Sequence, residues 1–237
     1  MLVANALSEV GHVRKDNEDN YLVSTRRGLF VVADGMGGHA GGEVASGIVK
    51  RVLDEEIEAP LVDIDGEQVL LKALLKANSL ILEQGQDGVY FGMGTTVTAA
   101  LFQEQKLFIA HIGDSRAYLF REGDLHLLTQ DHSLVNELVQ KGELTPEEAE
   151  NHPRRNILTR ALGISESPQI DVLHFPVQKG DLLLLCTDGL YNQVHEEELA
   201  DLLAGKGLLR VKVEKMVNLA LQRGGNDNIT AVLVQSV

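Results

Sequence analysis

The chain has 237 residues, 44% of them apolar and 24% charged, enough to bury one sizeable core in an ordinary globular protein. Its 35 acidic residues against 21 basic ones give a formal charge of −14; with no Lys/Arg cluster beyond pairs such as Arg154–Arg155, the basic patch that a nucleic-acid partner requires is missing. No apolar run is long enough to cross a membrane, and a single cysteine, Cys186, excludes an intrachain disulfide and a thiolate zinc site.

The opening stretch, MLVANALSEVGHVRKDNED, has neither the basic region nor the apolar run of a signal peptide, so a cytoplasmic protein is expected. The first third predicts two strands, roughly 20–25 and 29–33, joined by a turn around Arg26–Gly28 and followed by a glycine-rich loop. Two helices come next: GGEVASGIVKRVLDEEI sets Val44, Ile48, Leu53 and Ile57 near one face, and VLLKALLKANSLILEQ does the same with Leu70, Leu74, Ala77 and Ile81. From Thr95 to about Thr129 the runs TTVTAALF, KLFIAHI, RAYLF and LHLL alternate with the short turns QEQ, GDS and EGD, which predicts an antiparallel meander. Residues 131–168 are polar, contain Pro146, Pro153 and Pro168, and hold only short helical stretches such as SLVNELVQ; they read as a surface excursion. Strands at 170–175, 181–187 and 228–235 and helices at 195–203 and about 208–222 complete the chain. Strands and helices in separate blocks argue α+β, with antiparallel sheets and helices over their outer faces.

The chemistry gathers at five aspartates in glycine-punctuated turns: Asp19 in RKDNED, Asp34 in VVADGMGGHAGGE, Asp114 in HIGDSRA, Asp188 in LLLLCTDGL and Asp227 in GGNDNIT. Carboxylates packed together repel one another unless cations sit between them, and hard divalent ions take such oxygen ligands. Gly35 allows its backbone carbonyl to approach a metal, although a glycine turn between strand and helix gives the same pattern. Turn chemistry alone also accounts for each Asp–Gly or Asp–Asn pair taken singly. Arg14 offers a permanently charged, bidentate donor suited to phosphate, and Glu18 and Asp19 suit direct or water-mediated metal ligation. His39 is placed to be a general acid for a leaving group or, equally, a surface histidine. His111 and Cys186 sit in apolar strands and read as structural. The glycine loop has neither a GxGxxG nor a Walker lysine pattern.

In this order RKDNED, ADGMGGH, GTT, IGDSRAY, TDGL and NDNIT resemble the metal-dependent protein phosphatases of type 2C, from Arg14 to Thr230, and the DGMGGHAGGE loop is similar to the bacterial branch. The resemblance implies two antiparallel β-sheets in a central sandwich flanked by helices (α-β-β-α), one catalytic domain over 1–237 and a flap at about 131–168. It implies hydrolysis of phosphoserine and phosphothreonine by a metal-bridging hydroxide attacking phosphorus in line, with no phospho-enzyme. Asp34 would bridge two Mn²⁺ or Mg²⁺ ions, the Gly35 carbonyl joining one, Asp188 and Asp227 completing the other. Glu18 and Asp19 would hold metal-bound waters, Asp114 a third, weaker ion with Asp188, and Arg14 the substrate phosphate. Two ions about 3.5–4 Å apart can activate such a hydroxide and clamp the phosphoryl oxygens. Met36 stands where many eukaryotic members carry a histidine proposed as general acid, which leaves that role to His39 or to a metal-bound water. The implied partners are phosphorylated proteins, including substrates of a bacterial-type serine/threonine kinase and the kinase itself, met by a monomer. A phosphatase of a small metabolite and a catalytically silent phosphoprotein binder are the alternatives; the intact aspartate set favours an active enzyme.

Overall fold

Strand β3 (Leu29–Met36) shows how the layers arise. Its side chains alternate: Phe30 and Val32 enter one core, whereas Leu29, Val31 and Ala33 enter another, as the period of two dictates. The computed structural model describes residues 1–37, 41–57, 65–86 and 88–237, so His39 lies outside the described residues. One sheet runs β2 (Asp19–Ser24), β3, β5 (Val97–Gln103), β6 (Lys106–Ile112) and β9 (Asp171–Pro176), with the short β4 (Gly94–Thr95) also on β3. The other runs β1 (Leu2–Glu9), β11 (Ile229–Ser236), β10 (Leu182–Cys186), β7 (Arg116–Arg121) and β8 (Asp124–Leu127). All their pairings are antiparallel.

Between the sheets pack Phe30, Val32, Ile109, Leu183, Leu185 and Val232. Helices α1 (Gly41–Glu56) and α2 (Gly66–Gln84) cover the outer face of the first sheet through Val49, Val52, Leu53, Leu70, Leu74 and Ile81. Helices α6 (Glu196–Ala204) and α7 (Leu209–Gln222) cover the second through Leu199, Leu203, Val213, Met216 and Val217. The result is the four-layer α-β-β-α arrangement expected from the sequence. Residues 131–168 carry α3 (Leu134–Gln140) and α4 (Pro146–Glu150), start-capped by Ser133 and Thr145; the bridge Ser133–Leu158 closes the segment on itself, and the bridge Thr95–Leu162 ties it to the sandwich. No described helix is long and apolar enough to cross a membrane.

Two strand expectations change. Strand β1 is absent from the sequence reading because its side chains are half-buried and mixed in polarity; its partner, β11, pairs Leu2 with Ser236 and Glu9 with Ile229, a contact that no local pattern announces. The meander also breaks at GDS. Strand β6 pairs with β5 and β9, while β7 pairs with β10 and β8, so residues 113–115 cross from one sheet to the other. Gly113 makes the crossing with φ +107°, where a Cβ would lie 2.5 Å from the Cβ of Thr96, a position open only to glycine.

Buried Asn228 ties the loop before β2 to β11: its Oδ1 accepts the Glu18 N–H at 2.8 Å, and its Nδ2 donates to the Val10 and Asp16 carbonyls at 2.9 and 3.0 Å. Asn228→Ala leaves these groups unpaired, and the expected loss is about 2–4 kcal/mol. Urea unfolding should show a lower midpoint at unchanged slope; an unaltered midpoint contradicts this role.

Candidate active site

The strand ends bring the five aspartates to one end of the sandwich. Asp19 and Asp34 face each other in the β2–β3 register. Asp34 is fixed by its own backbone: its N–H donates to Thr96 Oγ1 at 3.0 Å, and its carbonyl accepts from Thr95 Oγ1 and the Thr96 N–H, both at 2.9 Å. Thr96 Oγ1 also meets Ser115 Oγ at 2.7 Å, which locks the sheet crossing that carries Asp114. From the other side the Tyr191 hydroxyl donates to the Asp114 carbonyl at 3.1 Å. Tyr191 ends the short helix α5 (Asp188–Tyr191) that Asp188 begins, so one helical turn holds both aspartates. The Arg116 guanidinium stacks 3.8 Å over the Tyr191 ring and grips Asp131 with bonds of 3.0 and 2.8 Å.

Asp227 accepts from Arg14 Nη2 at 2.8 Å and from the Asn228 N–H at 2.9 Å. Asp19 is buried, and its Oδ2 accepts from Thr187 Oγ1 at 2.8 Å and Thr230 Oγ1 at 2.6 Å. Close backbone approach needs glycine twice: a Cβ on Gly35 would lie 2.0 Å from the Gly42 carbonyl oxygen, and one on Gly189 2.0 Å from that of Asn228. A cleft of about 320 Å³ opens over this end, floored by Arg14, Asp34, Asp114, Asp188 and Asp227 and walled by Met36, Leu158 and Ile164.

Burial and mutual repulsion dominate the electrostatics. Burial holds the Asp34 and Asp114 carboxyls well above the usual carboxylate range, and the neighbouring aspartates raise them further. Burial pushes Asp19 up to about 7, against the two hydroxyl donors, and Asp188 up to about 6, with Asp227 adding to it. Glu18 is also raised by burial, although the Gly42 backbone N–H donates to it. Glu18 Oε1, Asp19 Oδ1 and Asp188 Oδ1 are buried with no hydrogen-bond partner among the described residues. Unpaired carboxylate oxygens in a dry site are costly, and a divalent cation satisfies them. The all-oxygen donor set fits Mg²⁺ or Mn²⁺. Among the described residues no three carboxylate, imidazole or thiolate groups already converge tightly enough to hold an ion. Waters and backbone carbonyls can complete such a coordination, as hard ions permit, and Asp227 is already bonded to Arg14.

Arg14, Asp34, Asp114, Asp188 and Asp227 thus share one cleft; Asp19 is paired with Asp34 in the strand register, and the Gly35 N–H bonds the Glu18 carbonyl at 3.1 Å. His111 is buried between Thr98 Oγ1 at 2.9 Å and the Gln130 carbonyl at 3.1 Å, and burial lowers it to about 4, so it is a neutral structural group. The Cys186 thiol is buried and pushed up to about 12, which removes it as a nucleophile. Sequence reasoning missed Thr96, Thr187, Thr230 and Tyr191, the groups that orient the aspartates. A hydroxyl residue next to or near a strand-end aspartate, as in CTDGL and NDNIT, was the available signal for two of them.

Residues 10–233 match the family model described as Protein phosphatase 2C. The chain is 42% identical to the "Serine/threonine phosphatase stp" of Listeria welshimeri over 232 residues, covering 95% of this chain and 92% of that one. A solved serine/threonine phosphatase of S. agalactiae superposes with TM-score 0.94 at 36% identity, each chain fully covered. The catalytic domain of the phosphatase PstP, solved in complex with two manganese ions, superposes with TM-score 0.90 at 38% identity, over 99% of this chain and 97% of that one.

A carboxyl whose folded pKa is raised stabilises the fold while protonated, and that contribution is lost as pH rises through the folded value. For Asp188 and Asp19 the loss begins above the ordinary value of 3.8 and is complete above about 6 and about 7. Chelator-treated protein should therefore melt lower at about pH 8 than at about pH 6, and Mn²⁺ should raise Tm more at the higher pH. In chelator at about pH 8 Asp34→Asn should raise Tm by removing a carboxyl that burial and its neighbours make costly to ionise, and with Mn²⁺ restored the variant should be inactive. A metal-free Tm that climbs between those pH values, or falls in the variant, contradicts the reading.

Proposed function

The chain belongs to the Protein phosphatase 2C family, a metal-dependent family, and is a protein serine/threonine phosphatase; from that premise we propose a division of labour within its site. The observation that carries it is a set of buried carboxylate oxygens, without partners among the described residues, at a cleft also lined by Arg14. Asp34, Asp188, Asp227 and the Gly35 carbonyl hold two Mn²⁺ or Mg²⁺ ions; Asp114 with Asp188 holds a third, weaker one. Glu18 and Asp19 orient waters around them. When bound, the ions supply Lewis acidity that polarises the phosphoryl oxygens and activates water.

The chain's own residues do the rest. Arg14 is half-exposed and already forms a charge-assisted bond to Asp227; a dianionic phosphate competes for that guanidinium and is oriented by it. Thr96 Oγ1 is committed to the Asp34 N–H and Ser115, and Cys186 is buried, so neither is free as a nucleophile; the cleft aspartates would be engaged as metal ligands. Direct hydrolysis by water is the consistent route, with phosphorus attacked in line. Met36, Leu158 and Ile164 keep one side of the cleft apolar, which suits the carbon skeleton of a phosphorylated side chain. The substrates are phosphorylated proteins, including targets of a bacterial-type serine/threonine kinase and that kinase, and the enzyme acts as a cytoplasmic monomer.

A phosphothreonine peptide should lose phosphate with Mn²⁺ and not with chelator. In Arg14→Ala, KM for that peptide should rise about tenfold while the Mn²⁺ concentration for half-maximal activity moves less. An unchanged KM removes Arg14 from phosphate binding.

A further inference from the structure

A second cavity, of about 200 Å³, adjoins the catalytic cleft, and Ile164 lines both. Its polar lining includes Thr159, Arg160 and Ser165. The Thr159 backbone is fixed, its N–H donating to the His132 carbonyl at 2.8 Å, yet its Oγ1 is buried without a partner among the described residues. Arg160 donates Nη1 to Asp171 Oδ1 at 3.2 Å. Asp171 is shared: His132 accepts the Gly113 N–H on Nδ1 at 3.1 Å, so its proton sits on Nε2 and is donated to Asp171 Oδ2, also at 3.1 Å. The Arg160 Nε and Nη2 groups make no hydrogen bond among the described residues. The cavity is also held open from behind, since Asn78 on α2 bonds the Gly163 N–H at 2.8 Å and the Ser165 carbonyl at 2.9 Å. A rigid pocket that offers unspent guanidinium donors and an unpaired hydroxyl is built for an anionic oxygen group.

We propose that this cavity is an anion subsite of the substrate peptide. It accepts a carboxylate or a second phosphate, carried by a residue near the scissile phosphoester, on Arg160 and Thr159 Oγ1. The inference rests on the phosphatase reading of the adjoining cleft. It also answers a difficulty set by charge: a chain of net −14 repels acidic peptides at long range, so selectivity for one acidic position requires a local cationic acceptor off the carboxylate floor. Ile164, half-exposed on the ridge between the cavities, separates the subsite from the reacting centre.

The test uses the Mn²⁺-loaded enzyme and phosphothreonine peptides in which one flanking position at a time is Glu, Gln or a non-hydrolysable phosphonate. Wild type should favour the anionic peptide at a particular offset by about tenfold in kcat/KM. Thr159→Val and Arg160→Gln should each erase most of that preference while hydrolysing a small aryl phosphate at the wild-type rate. Thr159→Val removes a buried unpaired hydroxyl at constant volume, so its Tm should hold or rise, which separates recognition from damage to the fold. A preference shared by Glu and phosphonate assigns the ligand as a carboxylate-sized anion; one confined to phosphonate assigns it as a second phosphate. Equal kcat/KM for Glu, Gln and phosphonate peptides at every offset, or a preference that survives in both variants, overturns the subsite. Absence of aryl phosphate hydrolysis by wild type would instead sink the phosphatase reading.

Discussion

Like charges forced together in a dry place are the constraint around which this molecule is arranged. Asp19, Asp34, Asp114 and Asp188 are raised by burial and by neighbouring aspartates, Asp227 adding to three of them, and among the described residues Arg14 is the one cation that lines the cleft. Such a cluster survives only if the backbone beneath it is over-determined. Its supports are short and mostly neutral: Thr187 and Thr230 under Asp19, Thr95 and Thr96 under Asp34, Asn228 beside Asp227. Hydroxyls and amides suit this task because they orient a carboxylate without cancelling its charge, which leaves the negative potential available to a divalent ion.

The sheet crossing at 113–115 explains how two sheets contribute to one site. Had β6 and β7 formed a hairpin, Asp114 would sit at the tip of a single sheet. Instead it lies between them, held by Ser115 and Thr96 on one side and by Tyr191 on the other. The second support reaches further. Arg116 connects Tyr191 to Asp131, and the Asp131 carbonyl accepts the Asn136 side chain of α3 at 2.6 Å. The base of the segment 131–168 is therefore bonded to the same unit that positions Asp114.

Periodicity was enough to find the helices, since Leu70, Leu74, Ala77 and Ile81 are all buried as their spacing demands, and strand-like apolar runs located most of both sheets. It failed at β1, an edge strand with one half-exposed face, and at the GDS turn, where a tight link looks the same whether it closes a hairpin or changes sheets. The aspartates could be picked out because Asp–Gly after an apolar run is a local pattern. Their supporting threonines could not, because Thr230 reaches Asp19 across 211 positions and only the folded sheets bring them together. Cavities are harder still: Thr159 and Arg160 lie in an ordinary polar stretch, and their unspent hydrogen-bonding capacity exists only once Asp171 and His132 have been apportioned.

The pairing of β1 with β11 has a consequence for how the protein is made. Strand β11 lies between β1 and β10, so β1 is not joined to the second sheet until residues 229–236 are in place. Long-range strand pairing of this kind is slow to form and leaves open edges while it waits. A nascent chain that ends before that point has β1 without a partner and Asp19 without the Thr230 hydroxyl. Catalytic competence therefore waits for the strand that joins β1 to the sheet, and a polypeptide stopped short of it presents an adhesive edge rather than a working phosphatase.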